Sequence, residues 1–515
     1  MRRKRETKRV NWSEANIFAK YCNYIWMAIP FMVIIWLVKM CCIDTDSYFL
    51  AATGRYILES GEIPKISPFV IHSDFQLIVQ QWVVCVLNYV LYEGFGLTGM
   101  LVWSFGTLVV TETLIYQYLS LFTDNTRVKL YAMLLCSILI MGFCNVRPTS
   151  ISMNILLAEM IALERFWQGK SKRSLIALPF LSLGLINCHA AMWLMIFVLM
   201  LPYLVPGLKS ILSIKEVKNK FNNETEYREN FKLDVSKRLQ LFIWAAISFM
   251  TGTLNPNGLK GMLYTLYSYG GVSNDNFISE MKSATVFSIW GALIILSAVV
   301  IAFYIYKFRS KIQWDKVYLA LGTWLLAAKN LRSTWMLVIG TAPLLVILIQ
   351  DCMGNTVKMK YKPKDYKILA LAYTIALGTV LVIVTPGIQI RNTTDSDKVP
   401  VLAADYLDSL PEDEKDDIVL YTGFNNGSYM EWRGYKVYLD SRAESFLKKL
   451  NGVDDILDEY KKVLKGTADY SEFLSKYNFT HLVVSEPTLQ IYMNCQEDTY
   501  RKVVETDKYI MYERI

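Results

Sequence analysis

Long apolar runs alternate with short polar segments over most of this chain, and the lengths of the runs match a bilayer rather than a water-soluble core. The first run, 21–43, follows a basic stretch, 1–20, that holds Arg2, Arg3, Lys4, Arg5, Lys8 and Arg9. It is long enough to cross a membrane and has no small-residue cleavage site, so a retained anchor with a cytoplasmic N-terminus is expected. Further candidates lie at 77–93, 97–121, 128–145, 149–166, 174–206, 238–254, 286–306, 317–329, 333–350 and 367–388. The run at 174–206 reads as two short crossings.

Basic loops set the orientation. Four clusters, Arg165 to Arg173, Lys209 to Arg238, Lys307 to Lys316 and Lys358 to Lys367, belong on the cytoplasmic side. Arg127 and Lys129 prefer the same side, which is satisfied if 77–93 is an interfacial or half-inserted helix, giving about eleven spans. The last span then delivers the tail to the outside. Over 389–515 acidic residues outnumber basic ones 24 to 16, opposite to the cytoplasmic loops. Short β-type runs at 418–421, 436–439 and 480–484 alternate with helical ones at 453–465 and 471–477. The predicted architecture is an α-helical polytopic membrane protein with a C-terminal soluble α/β domain. Its parts are a cytoplasmic N-terminus, 1–20, a multi-span domain, 21–388, with a first outer loop at 44–80, and an outer domain, 389–515.

Composition narrows the function classes. With 53% hydrophobic and 19% charged residues and a mean hydropathy of +0.27, a single soluble core is excluded. The net charge of +8 sits in clusters between apolar runs, so no nucleic acid partner is expected. Most of the nine cysteines lie in apolar runs, no CxxC occurs, and the three histidines are scattered, which leaves neither a disulfide framework nor a histidine-rich metal centre. Gly94 to Gly99 fits GxGxxG, but no strand precedes it, so it is read as a connection between helices. Neither a Walker A sequence nor a GxSxG elbow is present.

In this threading the polar residues that border apolar runs fall at outer ends: Asp44, Asp46, Asn145, Arg147, Asn187, His189, Asn255, Glu280, Lys329, Asn330 and Arg332. Charge beside hydrocarbon is costly and usually faces a protein interior or a watered cavity, so one outward-facing site accounts for the whole set. Each residue alone also reads as an ordinary helix end. If Asp44 and Asp46 lie in an extended stretch, both point to one side and face one cavity; the other reading is a helix cap and first-turn acid.

Several motifs carry a family resemblance. The stretch Asp44 to Pro64, with Ser67-Pro-Phe69 and Gln81-Trp82, resembles the first outer loop of bacterial GT-C-type membrane proteins, which are related to glycosyltransferases using polyprenyl-phosphate sugars. Matches continue at Arg147-Pro148, Asn187-Cys-His189, Leu254 to Gly258, Ile278-Ser-Glu280, Asn330-Leu-Arg332, Gly427 to Trp432 and Val437 to Arg442. The resemblance implies a GT-C-like architecture and a hexosyl- or pentosyltransferase of the bacterial cell envelope, multi-pass in the cytoplasmic membrane. Its partners would be membrane lipids, a polyprenyl-phosphate-linked sugar and an outer-face glycan, lipid or protein acceptor.

Under that resemblance Asp44 and Asp46 are the catalytic candidates, since transfer to a hydroxyl needs a carboxylate beside the acceptor. Arg147, Lys329 and Arg332 are candidates for the donor phosphate. His189, Asn187, Glu280 and Asn255 are acceptor contacts or structural polar groups. The sequence requires no cofactor, and a divalent metal held by the acidic pair stays open. Related sequences often carry His at the position of Leu50, Asp at Ser67 and Glu at Gln81. These departures keep two other readings in view: a catalytically silent assembly or sensing protein of the same fold, and a transporter or lipid flippase.

Overall fold

The computed structural model describes residues 45–140, 143, 146–205, 224–268, 281–309, 311–353 and 399–515. The expected spans at 21–43 and 367–388 and the tail boundary at 389 lie outside them. The first part is helical: α1 (Thr45–Ser60), α2 (Trp82–Leu119), α3 (Thr126–Ile140), α4 (Pro148–Trp167), α5 (Ala177–Cys188), α6 (Met195–Leu204), α7 (Glu224–Thr251), α8 (Ile289–Lys307), α9 (Trp314–Lys329) and α10 (Leu337–Met353). Among the described residues, three helical stretches are long and apolar enough to cross a membrane: Thr98–Leu119, Ile289–Lys307 and Leu331–Cys352. The run expected as a separate interfacial helix at 77–93 begins at Trp82 and continues into the next run through a kink at Gly96, whose φ of 58° favours glycine.

Apolar faces of α2 to α6 and α10 make the bundle core, with Tyr118, Trp193 and Tyr203 fully buried. The core also holds charge that the sequence reading passed over. Glu164 accepts from Tyr203 and pairs with Lys316, which also reaches Asp315 at 2.8 Å. Glu112 accepts from Ser137 at 2.6 Å, and Glu159 is buried with no hydrogen-bond partner among the described residues. The expectation that embedded polar groups gather at one end of the bundle is therefore incomplete. It looked at the outer borders of apolar runs, whereas Glu112, Glu159 and Glu164 sit inside them and the partner Lys316 belongs to the basic cluster at the other end.

Residues from 399 onward form α11 (Val401–Asp408), β1 (Leu420–Thr422), α12 (Gly427–Trp432), α13 (Ile456–Lys465), α14 (Tyr470–Tyr477), β2 (His481–Val484), α15 (Pro487–Met493), β3 (Tyr500–Glu505) and β4 (Ile510–Arg514). The strand order is β1-β2-β4-β3, with β1 and β2 parallel and the other pairs antiparallel. The run expected as a strand at 436–439 makes only single bridges, through Val437 to Leu420 and to Val70.

That second bridge ties the two halves together. The Ile71 amide donates to Val437 at 3.0 Å and the Val437 amide to Phe69 at 2.9 Å. Val70 and Phe75 of the first loop are buried in the core of the sheet, while Phe69, Leu77 and Val79 pack with Phe49 and Cys85 on the bundle side. Arg55 on α1 donates to the Trp432 carbonyl at 2.8 Å and lies 4.7 Å over its ring, and Tyr92 meets the same ring edge-on at 4.9 Å. Helix α1 approaches α2 closely at Gly54, where a Cβ would overlap the Cys85 carbonyl.

Two outcomes are expected. Gly54→Ala should force α1 off α2 and lower stability by about 1–3 kcal/mol, read as a depressed melting temperature beside the exposed control Glu59→Ala. His72 donates from Nε2 to the Tyr438 carbonyl at 2.8 Å and packs on Phe75 and Tyr477. Burial lowers its pKa from 6.5 against the opposing pull of the Tyr438 carbonyl and Glu459. Its folded pKa is thus depressed, so the neutral ring's contribution is present above the unfolded value and is lost as pH falls below it. Acidifying from about pH 7.5 to about pH 5 should lower the melting temperature more in wild type than in His72→Gln; an equal drop in both would remove His72 from this account.

Candidate active site

A cavity of about 500 Å³ lies where α1, the first loop and the ends of three bundle helices meet the C-terminal part. Asp46 enters it from the first turn of α1. The segment is helical from Thr45, which makes Asp46 a first-turn acid, the second of the two readings of this stretch. Arg147 occupies the cap position of α4, where Pro148 starts the helix with the φ that proline supplies. His189 ends α5, and the break before α6 is held by two bonds to Gln80, from the Ala190 amide to its carbonyl and from the Ala191 amide to its side chain, each 3.0 Å. Arg332 comes from the short 3-10 turn Leu331–Met336 that precedes α10. Asp46, Arg147, His189 and Arg332 all line this cavity.

Their settings differ. Arg147 Nε stands 3.4 Å from Asp46 Oδ2, and both side chains keep about a quarter or less of their surface exposed. The buried His189 ring has Nδ1 2.7 Å from Ser152 Oγ. Arg332 is half-buried and makes no ion pair among the described residues. Lys329 is exposed at the end of α9 and does not line the cavity. Asn187 accepts from Trp82 at 2.7 Å and donates to the Leu183 and Leu254 carbonyls, and Asn255 closes the turn at 252–258 through the Gly252 and Gly258 carbonyls. Both asparagines thus hold backbone in place. Asp44, Asn145 and Glu280 lie outside the described residues. Of the positions where related sequences differ, Leu50 and Gln81 line the cavity, while the Ser67 hydroxyl accepts from the Phe69 amide at 3.3 Å.

The C-terminal part supplies a wall that sequence reasoning only touched. Arg442 is clasped by Asp440 at 2.5 Å and Glu431 at 2.6 Å, and its guanidinium lies 5.2 Å over Phe49 and 5.4 Å over Phe69. Burial opposes its charge, but the two carboxylates outweigh burial and hold its pKa above the ordinary value. Burial pushes Glu431 well above the usual carboxylate range, and Asp440 lies below it because Arg442 overcomes the same burial. The charge of Arg442 is therefore spent on Asp440. Glu444, two residues on, lines the cavity with one oxygen, Oε1, accepting from Tyr264 at 3.3 Å and Gln80 at 3.4 Å. The Asp440-Ser-Arg442 triplet was a visible signal, but Glu444, Tyr264 and Gln80 come from three separate segments and carry no shared motif.

Chemically, the cavity sets the Asp46 and Glu444 carboxylates and the guanidiniums of Arg147, Arg332 and the Asp440-paired Arg442 beside hydroxyl and amide groups. Among the described residues no three His, Cys, Asp or Glu side chains group as metal ligands, and Asp46 already faces a cation.

No family model and no curated protein matches the sequence. Solved structures do match in fold. The archaeal oligosaccharyltransferase AglB from Archaeoglobus fulgidus, in complex with an inhibitory peptide and a dolichol-phosphate, superposes with a TM-score of 0.54 at 11% identity over 90% of this chain and 69% of AglB. The oligosaccharyltransferase of the same organism tethered to an acceptor peptide gives 0.53 at 12% over 97% and 74%. ArnT from Cupriavidus metallidurans in the apo state gives 0.50 at 12% over 96% and 98%. Likeness that spans nearly the whole chain at such low identity is a likeness of fold, and the chain has the GT-C fold of these membrane glycosyltransferases.

Proposed function

We propose that this protein is a membrane glycosyltransferase that moves a sugar from a polyprenyl-phosphate donor to an acceptor at the outer face of the bacterial cytoplasmic membrane. The observation that carries the reading is one cavity in which Asp46 is oriented by Arg147 and Arg332 offers a guanidinium with no ion pair among the described residues. Binding of dolichol-phosphate and a peptide by AglB supports a lipid-phosphate donor and a separate acceptor. The basic loop clusters support the orientation, a cytoplasmic N-terminus and about eleven spans.

In this reading the acceptor hydroxyl gives its proton to the Asp46 carboxylate as its oxygen attacks the anomeric carbon. The bond from that carbon to the phosphate oxygen breaks, and its electron pair leaves with the lipid phosphate. Arg332 and Arg147 take up the charge that develops there, because a fixed guanidinium in a shielded cavity stabilises an oxyanion better than water does. A single displacement inverts the anomeric configuration. Ser152 fixes the orientation of His189, which packs the cavity floor beside Arg332.

The test is transfer from radiolabelled polyprenyl-phosphate sugars to a mixed glycan and lipid pool by protein in lipid nanodiscs. Asp46→Asn should lower turnover by about 10²–10⁴-fold, and Arg332→Ala by about 10²-fold or more. Lys329→Ala should stay within about 2-fold, since its side chain is outside the cavity. Folded wild-type protein that neither binds nor turns over any donor would overturn the reading. Loss of activity in Asp44→Asn with full activity in Asp46→Asn would move the base to residue 44.

A further inference from the structure

The cavity has two chemically different sides. Arg147, His189 and Arg332 come from the ends of bundle helices. Glu444, Ser441, Ser445 and Asn425 come from the C-terminal part, and Gln80 and Tyr264 stand beside them. On that second side, Glu444 is in no ion pair among the described residues. Arg442, the nearest arginine in sequence, is neutralised by Asp440 and also bonded to Glu431. The Tyr264 hydroxyl and the Gln80 amide both donate to the same Glu444 oxygen, which fixes the carboxylate and leaves Oε2 with no hydrogen bond among the described residues. An ionised carboxyl can accept about four hydrogen bonds, so Glu444 is held in place with most of its capacity directed to a ligand.

We infer that Glu444 is the acceptor-binding residue of this site and that the acceptor it selects is a saccharide, whose neighbouring hydroxyls donate to Glu444 Oε2. The inference rests on the glycosyl-transfer reading and adds to it the class of acceptor. Three features favour a saccharide. The described groups on this side are a carboxylate, serines and carboxamides, which accept from and donate to hydroxyls, and among the described residues the cation beside them, Arg442, is ion-paired. Phe424, Tyr460 and Tyr264 also line the cavity, and aromatic rings suit the C–H surface of a pyranose. A peptide laid against the sheet as an added strand has no edge to join here. The edge beside β1 is taken by Val437, and Val437 is itself covered by residues 69–71 of the first loop.

A site built to hydrogen-bond hydroxyls rejects ligands that lack them, because its buried acceptors are then left unpaired. The experiment uses full-length protein in nanodiscs with three probes: undecaprenyl phosphate, an array of short oligosaccharides, and a library of unstructured peptides. Wild type should bind undecaprenyl phosphate and a subset of the oligosaccharides. Glu444→Gln should weaken the oligosaccharides about tenfold or more with undecaprenyl phosphate binding unchanged. Tyr264→Phe, which keeps the ring and frees the carboxylate, should weaken them by about 3-fold or more and serves as the second variant if Glu444→Gln melts early. Binding of undecaprenyl phosphate with no oligosaccharide bound, or with equal oligosaccharide binding in wild type and both variants, overturns the inference and leaves the transferase reading standing. Peptides bound in place of sugars, and lost in Glu444→Gln, overturn the saccharide assignment. No undecaprenyl phosphate bound by folded wild type counts against the transferase reading, and the saccharide acceptor falls with it.

Discussion

The structure depends on a short piece of the first loop being shared by two cores. Residues 69–71 pair with Val437 through their backbone, the Gln76 amide donates to the Asn451 carbonyl, and Val70 and Phe75 are buried under the sheet. Only one residue further on, Leu77 and Val79 face α1 and α2. A chain segment with both ends buried in different cores cannot slide along either without exposing apolar surface. The sheet is therefore held in register with the bundle, and the wall made by Ser441, Arg442 and Glu444 stays opposite Asp46 and Arg147. The Arg55 and Trp432 contact reinforces the joint from α1, the helix that carries Asp46.

A cavity formed at such a junction inherits its chemistry from helix ends. Asp46, Arg147, His189 and Arg332 each sit where a helix starts or stops, so their backbones are set by rigid elements while their side chains project beyond the bundle. Charges deeper in the bundle are arranged differently. Glu164 and Lys316 satisfy one another among Tyr203 and Asp315, and Glu112 accepts from Ser137. Such pairs lock helices together where water is excluded, and they lie apart from the residues that line the cavity.

How far the sequence announced this differs between the two halves. The apolar runs locate α2, α4, α8 and α10, because a long hydrophobic stretch has few alternatives to a helix, and polar residues at the borders of those runs pointed to the four helix-end groups at the cavity. Of the two readings of the acidic stretch, the first-turn acid is the one that Asp46 takes, a position favoured by the positive end of the helix dipole. In the tail, Leu420–Thr422 and His481–Val484 were legible as short β-branched or aromatic runs. Tyr500–Glu505 was not, since Arg501 and Lys502 and a bulge after them break the pattern of an edge strand. Glu444 was invisible for another reason: its role comes from Tyr264 and Gln80, which are 180 and 364 residues away in sequence.

The departures from the family pattern take on meaning once the charges of the cavity are set side by side. Leu50 makes one part of the wall apolar and Gln81 makes another a neutral amide, at positions where related sequences often carry His and Glu. Among the described residues, the carboxylates that line the cavity are Asp46, from the bundle, and Glu444, from the tail, while Arg442 is closed off by Asp440. Asp46 faces a guanidinium and Glu444 faces neutral donors. An acid that already has a cation fits the proposed chemistry beside an anionic leaving group. An acid that has only hydroxyl and amide donors is matched to a neutral, hydroxyl-rich ligand. With a leucine and an amide at those two positions, the described lining still holds two acids, one on the bundle and one on the element that covers the cavity, opposite the helix ends that carry Arg147 and Arg332.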